Sequence, residues 1–210
     1  MRLTAIFLIC ASGMAQTCQT TGDAPGSFDY YLLSLSWKPA FCAQHAASRD
    51  ECRDRAELGF VVHGLWPQNS TGRSPELCGT PGSVRAGDST PVMGLMFGLS
   101  LIQHEWTCHG SCSNLKPADY FALVAKDRKM VQIPAVFTRV PTALTMSAAQ
   151  IASAFASANR APPSAFRVDC QSGELVEIRA CFSKTLGILQ QCSNSLPGCK
   201  QKSLMIRPMK

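Results

Sequence analysis

The chain has 210 residues, a formal net charge of +6 and eleven cysteines. That length suits one domain with a sizeable core and gives no sign of a second. The modest basic excess suits a polyanionic substrate, although many exported proteins that bind no nucleic acid share it, and the absence of a dense Lys/Arg run argues against a non-specific binding arm.

The first fifteen residues differ in character from the rest. Arg2 gives a weakly positive start, residues 5–11 are apolar, and Gly13-Met14-Ala15 supplies small residues before Gln16. This pattern predicts a secretory signal over 1–15, too short to span a bilayer, and a mature domain over 16–210. Removing Cys10 with the signal leaves ten cysteines, an even set that reads as disulfides in an oxidising compartment, secreted or periplasmic. Zinc is the competing use, but no C-x-x-C pair is present.

In chain order, Phe28–Trp37 (FDYYLLSLSW) predicts a strand ended by Lys38-Pro39, and the charged stretch Arg49–Leu58 a short helix. Phe60-Val61-Val62 reads as a buried strand with His63 at its end. Residues 69–91, rich in Gly, Ser, Thr and Pro, predict a long loop held by Cys78. Helix is expected from Val92 to Ile102 and on into a second histidine motif, then from Pro117 to Met130. Ser147-Ala148-Ala149-Gln150 is a capping-box pattern opening a helix to about Ala158. Phe166–Cys170 and Leu175–Phe182 form a hairpin across Ser172-Gly173. The mixture predicts an α+β fold, helices packed on a mostly antiparallel sheet.

Three of the four histidines fall in two short motifs, His63-Gly-Leu-Trp-Pro67 and His104-Glu-Trp-Thr-Cys-His-Gly110. Metal-free cleavage of a phosphodiester needs one imidazole to remove a proton and another to donate one. On a helix, Glu105 and His109 share a face, where the carboxylate can orient the imidazole. His104 and His109 would lie about 140° apart around the axis, placed to flank one phosphate but not to stack. The zinc-protease pattern H-E-x-x-H is out of phase, because the second histidine is five residues along. Trp66 reads equally as a base-stacking platform or as packing beside Pro67; Trp106 reads as core, and His45, outside both motifs, as a surface residue.

The segments HGLWP at 63–67 and HEWxxHGxC at 104–112 resemble the two active-site segments of the ribonuclease T2 family, the Rh- and S-type acid ribonucleases. YYLLSLSWKPAFC at 30–42 is similar to that family's first core strand, and the run from Val168 to Lys184 to its closing hairpin. The resemblance implies a secreted, metal- and cofactor-independent endoribonuclease. It would act on single-stranded RNA through a 2′,3′-cyclic phosphate, with His109 as general base, His63 as general acid, Glu105 tuning the site and His104 binding the phosphate. It also implies disulfides Cys78–Cys112, Cys170–Cys199 and Cys181–Cys192. Cys42 and Cys52, close in sequence, make a fourth pair, and Cys18 and Cys108 are left to bond each other. Nothing demands more than a monomer, and no membrane association is expected once the signal is gone.

One position departs from the family pattern: Cys108 stands where a lysine is usual. Losing a fixed positive charge beside the transition state can cost on the order of 100-fold or more in rate. Another Lys or Arg must reach in, or the enzyme is slow, or the chain is an inactive relative that binds RNA. A metal held by His104 and Cys108 is the weaker alternative, since further ligands are not evident, and a secreted structural or toxin-like protein is the remaining rival.

Overall fold

The computed structural model describes residues 18–45, 52 and 58–209. The expected signal over 1–15 and nearly all of the helix expected over 49–58 lie outside these residues.

A six-stranded sheet organises the molecule around β1 (Tyr30–Trp37), which pairs antiparallel with β2 (Phe60–Gln68) on one side and β5 (Glu174–Ser183) on the other. β4 (Phe166–Gln171) joins β5 in the expected hairpin, turned by Ser172 and Gly173, both at positive φ. Two three-residue strands, β3 (Leu144–Met146) and β6 (Leu204–Ile206), extend the sheet; β6 meets β5 in the parallel sense at Glu174 and Met205. The fold is therefore α+β, with a sheet that is largely antiparallel.

The period-two alternation of β1 sends its side chains to two different environments. Tyr31, Leu33, Leu35 and Trp37 enter the main core, where Tyr120, Phe121 and Val124 of α3 (Pro117–Met130) and Ile151 and Phe155 of α4 (Ala148–Asn159) cover them. Burying each large apolar side chain stabilises the fold by roughly 1.5–3 kcal/mol. On the opposite face, Tyr30 and Leu32 join a smaller cluster with the Cys181–Cys192 disulfide, and the serines Ser34 and Ser36 follow. That face is where the cleft opens.

α3 begins and ends where Pro117 and Met130 predict, and Ser147 caps α4 with a complete capping box. β1 ends at Lys38-Pro39 as expected, and the chain continues as a short helix, α1 (Lys38–Gln44), with Pro39 in its first turn. One expected helix starts late. Apart from a 3₁₀ turn that closes at Val92, no helix forms in the expected stretch before Leu99, where α2 (Leu99–Cys108) begins. Gly94 and Gly98 adopt φ of 81° and 102°, which a right-handed helix does not allow, and Leu95 instead accepts a backbone bond from Val62.

Five disulfides pin these elements: Cys18–Cys108, Cys42–Cys52, Cys78–Cys112, Cys170–Cys199 and Cys181–Cys192. Every expected pairing is borne out. Cys78 also anchors the long loop, with its N–H donating to Ser111 Oγ.

Candidate active site

His63 does not end its strand; it sits in the middle of β2. The β1–β2 register pairs Ser34 with Gly64 and Leu35 with Val62, so His63 is the unpaired residue of a β-bulge. A bulge shifts the alternation by one residue. Without it His63 and Trp66, three apart, would point to opposite faces; with it His63, Trp66 and Gln68 all line one cleft. Sequence reasoning located the residue but not the bulge, which leaves no signature in HGLWP beyond Gly64.

α2 approaches β2 over that glycine. A β-carbon at Gly64 would overlap the Glu105 carboxylate and lie 2.6 Å from Trp66 Nε1. The space left by the missing side chain lets Trp66 Nε1–H donate to Glu105 Oε2 at 2.8 Å and brings Oε1 to 3.4 Å from His63 Nε2. Glu105 was expected to orient His109; its polar contacts are instead with His63 and Trp66. The helix explains the difference. α2 stops at Cys108, and His109, at φ −120° and ψ −49°, starts a turn of 3₁₀ helix, while its N–H still bonds Glu105 O.

The imidazoles gather around one indole. The Trp66 ring is 5.2 Å from those of His63 and His109, and His104 is 6.3 Å from His109 and nearly perpendicular to it. All five residues named from the sequence thus line a single cleft of about 780 Å³. Trp66 is anchored through its N–H to Glu105 and forms part of the cleft wall. Trp106 is core, its N–H donating to Gly82 O. His45 is exposed as expected, yet it stacks on Phe41 at 4.5 Å and edges the same cleft.

Two cleft residues in contact with this cluster escaped the sequence reading, Glu177 and Arg179 of β5. Glu177 Oε1 lies 2.6 Å from His63 Nδ1 and accepts from Ser36 Oγ at 3.1 Å. Arg179 donates through Nε and Nη2 to Glu177 Oε2 and through Nη2 to Asp169 at 2.7 Å. The available signal was a Glu and an Arg two apart, on one face of a strand (LVEIRACF) whose other residues are apolar.

The electrostatics separate His63 from His109. Burial disfavours a charged His63, but the hydrogen bond to Glu177 and the charges of Glu105 and Glu177 outweigh it, against opposition from Arg179, and raise its pKa to about 9. His109 has no such partner. Burial, then the charges of His104 and His63, lower its pKa to about 3, and its Nδ1 is buried without a hydrogen bond. His104 is also lowered, first by burial and then by His63. Burial raises Glu105 to about 7 against the pull of His63 and the Trp66 bond. For Glu177 burial is outweighed by His63 and Arg179, and its pKa falls to about 2.

His104, Glu105 and His109 each offer one ligand atom within 4.8 Å of the others, close enough to share a metal ion. Both Glu105 oxygens, however, already face Trp66 Nε1 and His63 Nε2, so an ion would have to displace these contacts. Cys108 contributes no charge, being bonded to Cys18 with Sγ 3.5 Å from His104 Nδ1. Two other cations line the cleft: Arg179, with its guanidinium 5.5 Å from the Trp66 ring, and buried Lys38, over Phe41 and Phe97.

The Ribonuclease T2 family model matches residues 28–192. A ribonuclease of Aeromonas hydrophila is 38% identical over 127 residues, covering 60% of this chain and 57% of that protein. A probable ribonuclease of Haemophilus influenzae is 35% identical over 114 residues, covering 48% and 42%. The chain thus spans about half the length of these curated relatives. Among solved structures, an RNase-related protein from Calystegia sepium superposes with a TM-score of 0.70 at 23% identity, covering 87% of this chain and 98% of that one. RNase NT in complex with 5′-AMP gives 0.63 at 21%, covering 87% and 99%. With the family model running from before β1 through the bulge, α2 and the closing hairpin, the chain belongs to the Ribonuclease T2 family.

Proposed function

We propose that this protein is an exported endoribonuclease that cleaves single-stranded RNA by metal-independent transesterification. One observation carries the reading: two imidazoles flank one tryptophan in one cleft, one held charged by carboxylates and the other held neutral by burial. Environments that push two titratable groups apart assign the acid and the base.

Neutral His109 removes the proton from a ribose 2′-hydroxyl. The 2′-oxygen forms a bond to the adjacent phosphorus while the bond to the 5′-oxygen breaks, and His63 protonates that leaving oxygen. The products are a 2′,3′-cyclic phosphate and a free 5′-hydroxyl, and water can open the ring with the two roles exchanged. DNA lacks the nucleophile. His104 lies beside His109 to contact the phosphate, and Glu105, its pKa near neutrality, holds Trp66 and faces His63. The nucleotide bound in RNase NT supports a ribonucleotide ligand, and Trp66 offers a base its ring.

The ten paired cysteines suit an oxidising compartment, secreted or periplasmic. Among the described residues no helix is long and apolar enough to cross a membrane. The reading takes the mature chain as a monomeric domain over 16–210.

The test is cleavage of single-stranded RNA by the oxidised protein with EDTA, across pH 4 to 8, beside His63→Ala and His109→Ala. Cyclic phosphate ends made by the wild type and lost in both variants support the reading. A second reading follows from the Cys18–Cys108 disulfide, which occupies the position where the family carries its lysine. RNA binding without cleavage at any pH would favour that inactive, RNA-binding relative.

A further inference from the structure

The β1–β5 register places Glu177 opposite Ser36 and Arg179 opposite Ser34, while Ser34 also pairs with Gly64 of β2. The central strand therefore carries small side chains where its two neighbours carry His63, Glu177 and Arg179. Large residues at 34 and 36 would separate β2 from β5 on this face. With serines there, Glu177 reaches over β1 to an imidazole two strands away.

We propose that Glu177 is a positioning residue for His63, fixing the ring so that Nδ1–H points into the sheet and Nε2–H points into the cleft. The inference rests on His63 acting as the proton donor. Ser36 and Arg179 donate to both oxygens of Glu177 and favour its ionised, acceptor-only form, so the hydrogen between it and Nδ1 belongs to the imidazole. Nε2 is then the atom that can exchange a proton with substrate, and it lies on the side of Glu105. As the bulged residue, His63 has no partner in the β1 ladder, which leaves its side chain in need of a separate restraint.

The carboxylate is itself held by two further side chains, one of them braced by a third. Ser36 Oγ donates to Oε1, Arg179 donates through two nitrogens to Oε2, and Asp169 of β4 holds Arg179. Asp169 alone could pair with Arg179, and a purely structural Glu177 would have no need to aim its other oxygen at a partly exposed histidine. The charged and titratable groups facing His63 are Glu177 and Arg179 from β5, and Glu105, His104 and His109 from α2 and the turn that follows it.

The experiment compares wild type, Glu177→Gln and Glu177→Asp on a dinucleotide and on a ribonucleoside 3′-(p-nitrophenyl phosphate), whose leaving group needs no proton. Glu177→Gln is expected to lower kcat on the dinucleotide about 10- to 100-fold. KM and the rate on the aryl ester should stay within about threefold, and the alkaline limb of the dinucleotide profile should move to lower pH. Glu177→Asp should recover part of the loss. Equal loss on both substrates with an unmoved limb and a lower Tm would make Glu177 merely structural and overturn the proposal.

Imidazole nitrogen NMR of the unmutated protein provides a readout independent of turnover. A bonded Nδ1 proton on His63 persisting above pH 7.5 is expected. A His63 ring protonated on Nε2 alone in its neutral form is compatible only with a different Nδ1 partner arrangement if Glu177→Gln leaves the spectrum unchanged, and that outcome also overturns it. If the wild type cleaves neither substrate while the Nδ1 proton is present and lost in Glu177→Gln, the catalytic reading fails and the positioning contact stands.

Discussion

Gly64 of β2 and Glu105 of α2 are packed so closely that no side chain fits between them: a β-carbon on the glycine would occupy space held by the carboxylate and crowd Trp66 Nε1. The backbone of one motif is thus shaped to admit the acid of the other. Gly64→Ala should push Glu105 and Trp66 apart and move His63. Displacing catalytic groups by about 1 Å can cost on the order of 100-fold in rate, and overpacking costs about 1–3 kcal/mol of stability. We expect kcat/KM to fall by at least that factor while the protein still folds, measured by RNA cleavage beside a thermal melt. A near-normal rate would show that α2 can retreat without harm to the site.

Much of this was legible in the sequence. The strand at 30–37, the helix at 117–130, the capping box at Ser147 and the hairpin at Ser172-Gly173 follow from local pattern, and the structure reproduces them. The residues of both histidine motifs were legible too, including the disulfide that takes Cys108. What stayed hidden depends on register. The bulge at His63 and the reach of Glu177 across β1 arise from pairing between strands far apart in sequence, which no local window records. The late start of α2 reflects Gly94 and Gly98 at positive φ inside a run that looks helical by composition. β3 and β6 are too short for their alternation to stand out.

The pH dependence should be broader than free histidines would give. Unperturbed imidazoles titrate near roughly 6.5, which suggests a narrow optimum. Under the proposed mechanism the base, His109, is neutral down to about 3 and the acid, His63, is protonated up to about 9. In kcat/KM, the acid limb belongs to the base and the alkaline limb to the acid. We expect a plateau from mildly acidic to neutral pH, with Glu105, near 7, shaping its interior. An alkaline fall centred near pH 6.5 would mean that Glu105 and Glu177 do not hold the charge on His63.

Stability should respond to the same groups with opposite signs. His109 is depressed in the folded state, so between about 3 and its unfolded value the unfolded chain binds the extra proton, and stability is lost as pH falls through that window. His63 is raised; its contribution is complete below the unfolded value and is lost as pH rises towards about 9. Melts of wild type and His109→Asn from pH 3.5 to 7 test the first statement. The wild type should lose Tm relative to the variant on acidification, and parallel curves would refute it. The corresponding His63→Asn comparison from pH 6.5 to 9 should show the reverse slope.

Cys18 and Cys108 tie the start of the described chain to the last residue of α2, directly before His109, across a sequence separation of 90. A bridge closing a loop of that length is worth roughly 2–5 kcal/mol, chiefly through the unfolded state. Cys108 is itself buried and is not part of the cleft wall, whereas Arg179 and Lys38 are. The bridge therefore supports the helix end, and under the proposed mechanism the positive charge comes from other residues. In Cys18→Ala/Cys108→Ala we expect a clear drop in Tm, but a kcat at 25 °C within about fivefold of wild type, since no group that meets the phosphate is removed. Arg179→Gln should behave oppositely, with a larger loss of rate than of Tm, because Asp169 and Glu177 then lose their cation beside Trp66. If instead the double alanine variant melts like wild type and loses activity 100-fold, the disulfide belongs to the catalytic surface and its place in the sequence reflects chemistry as well as support.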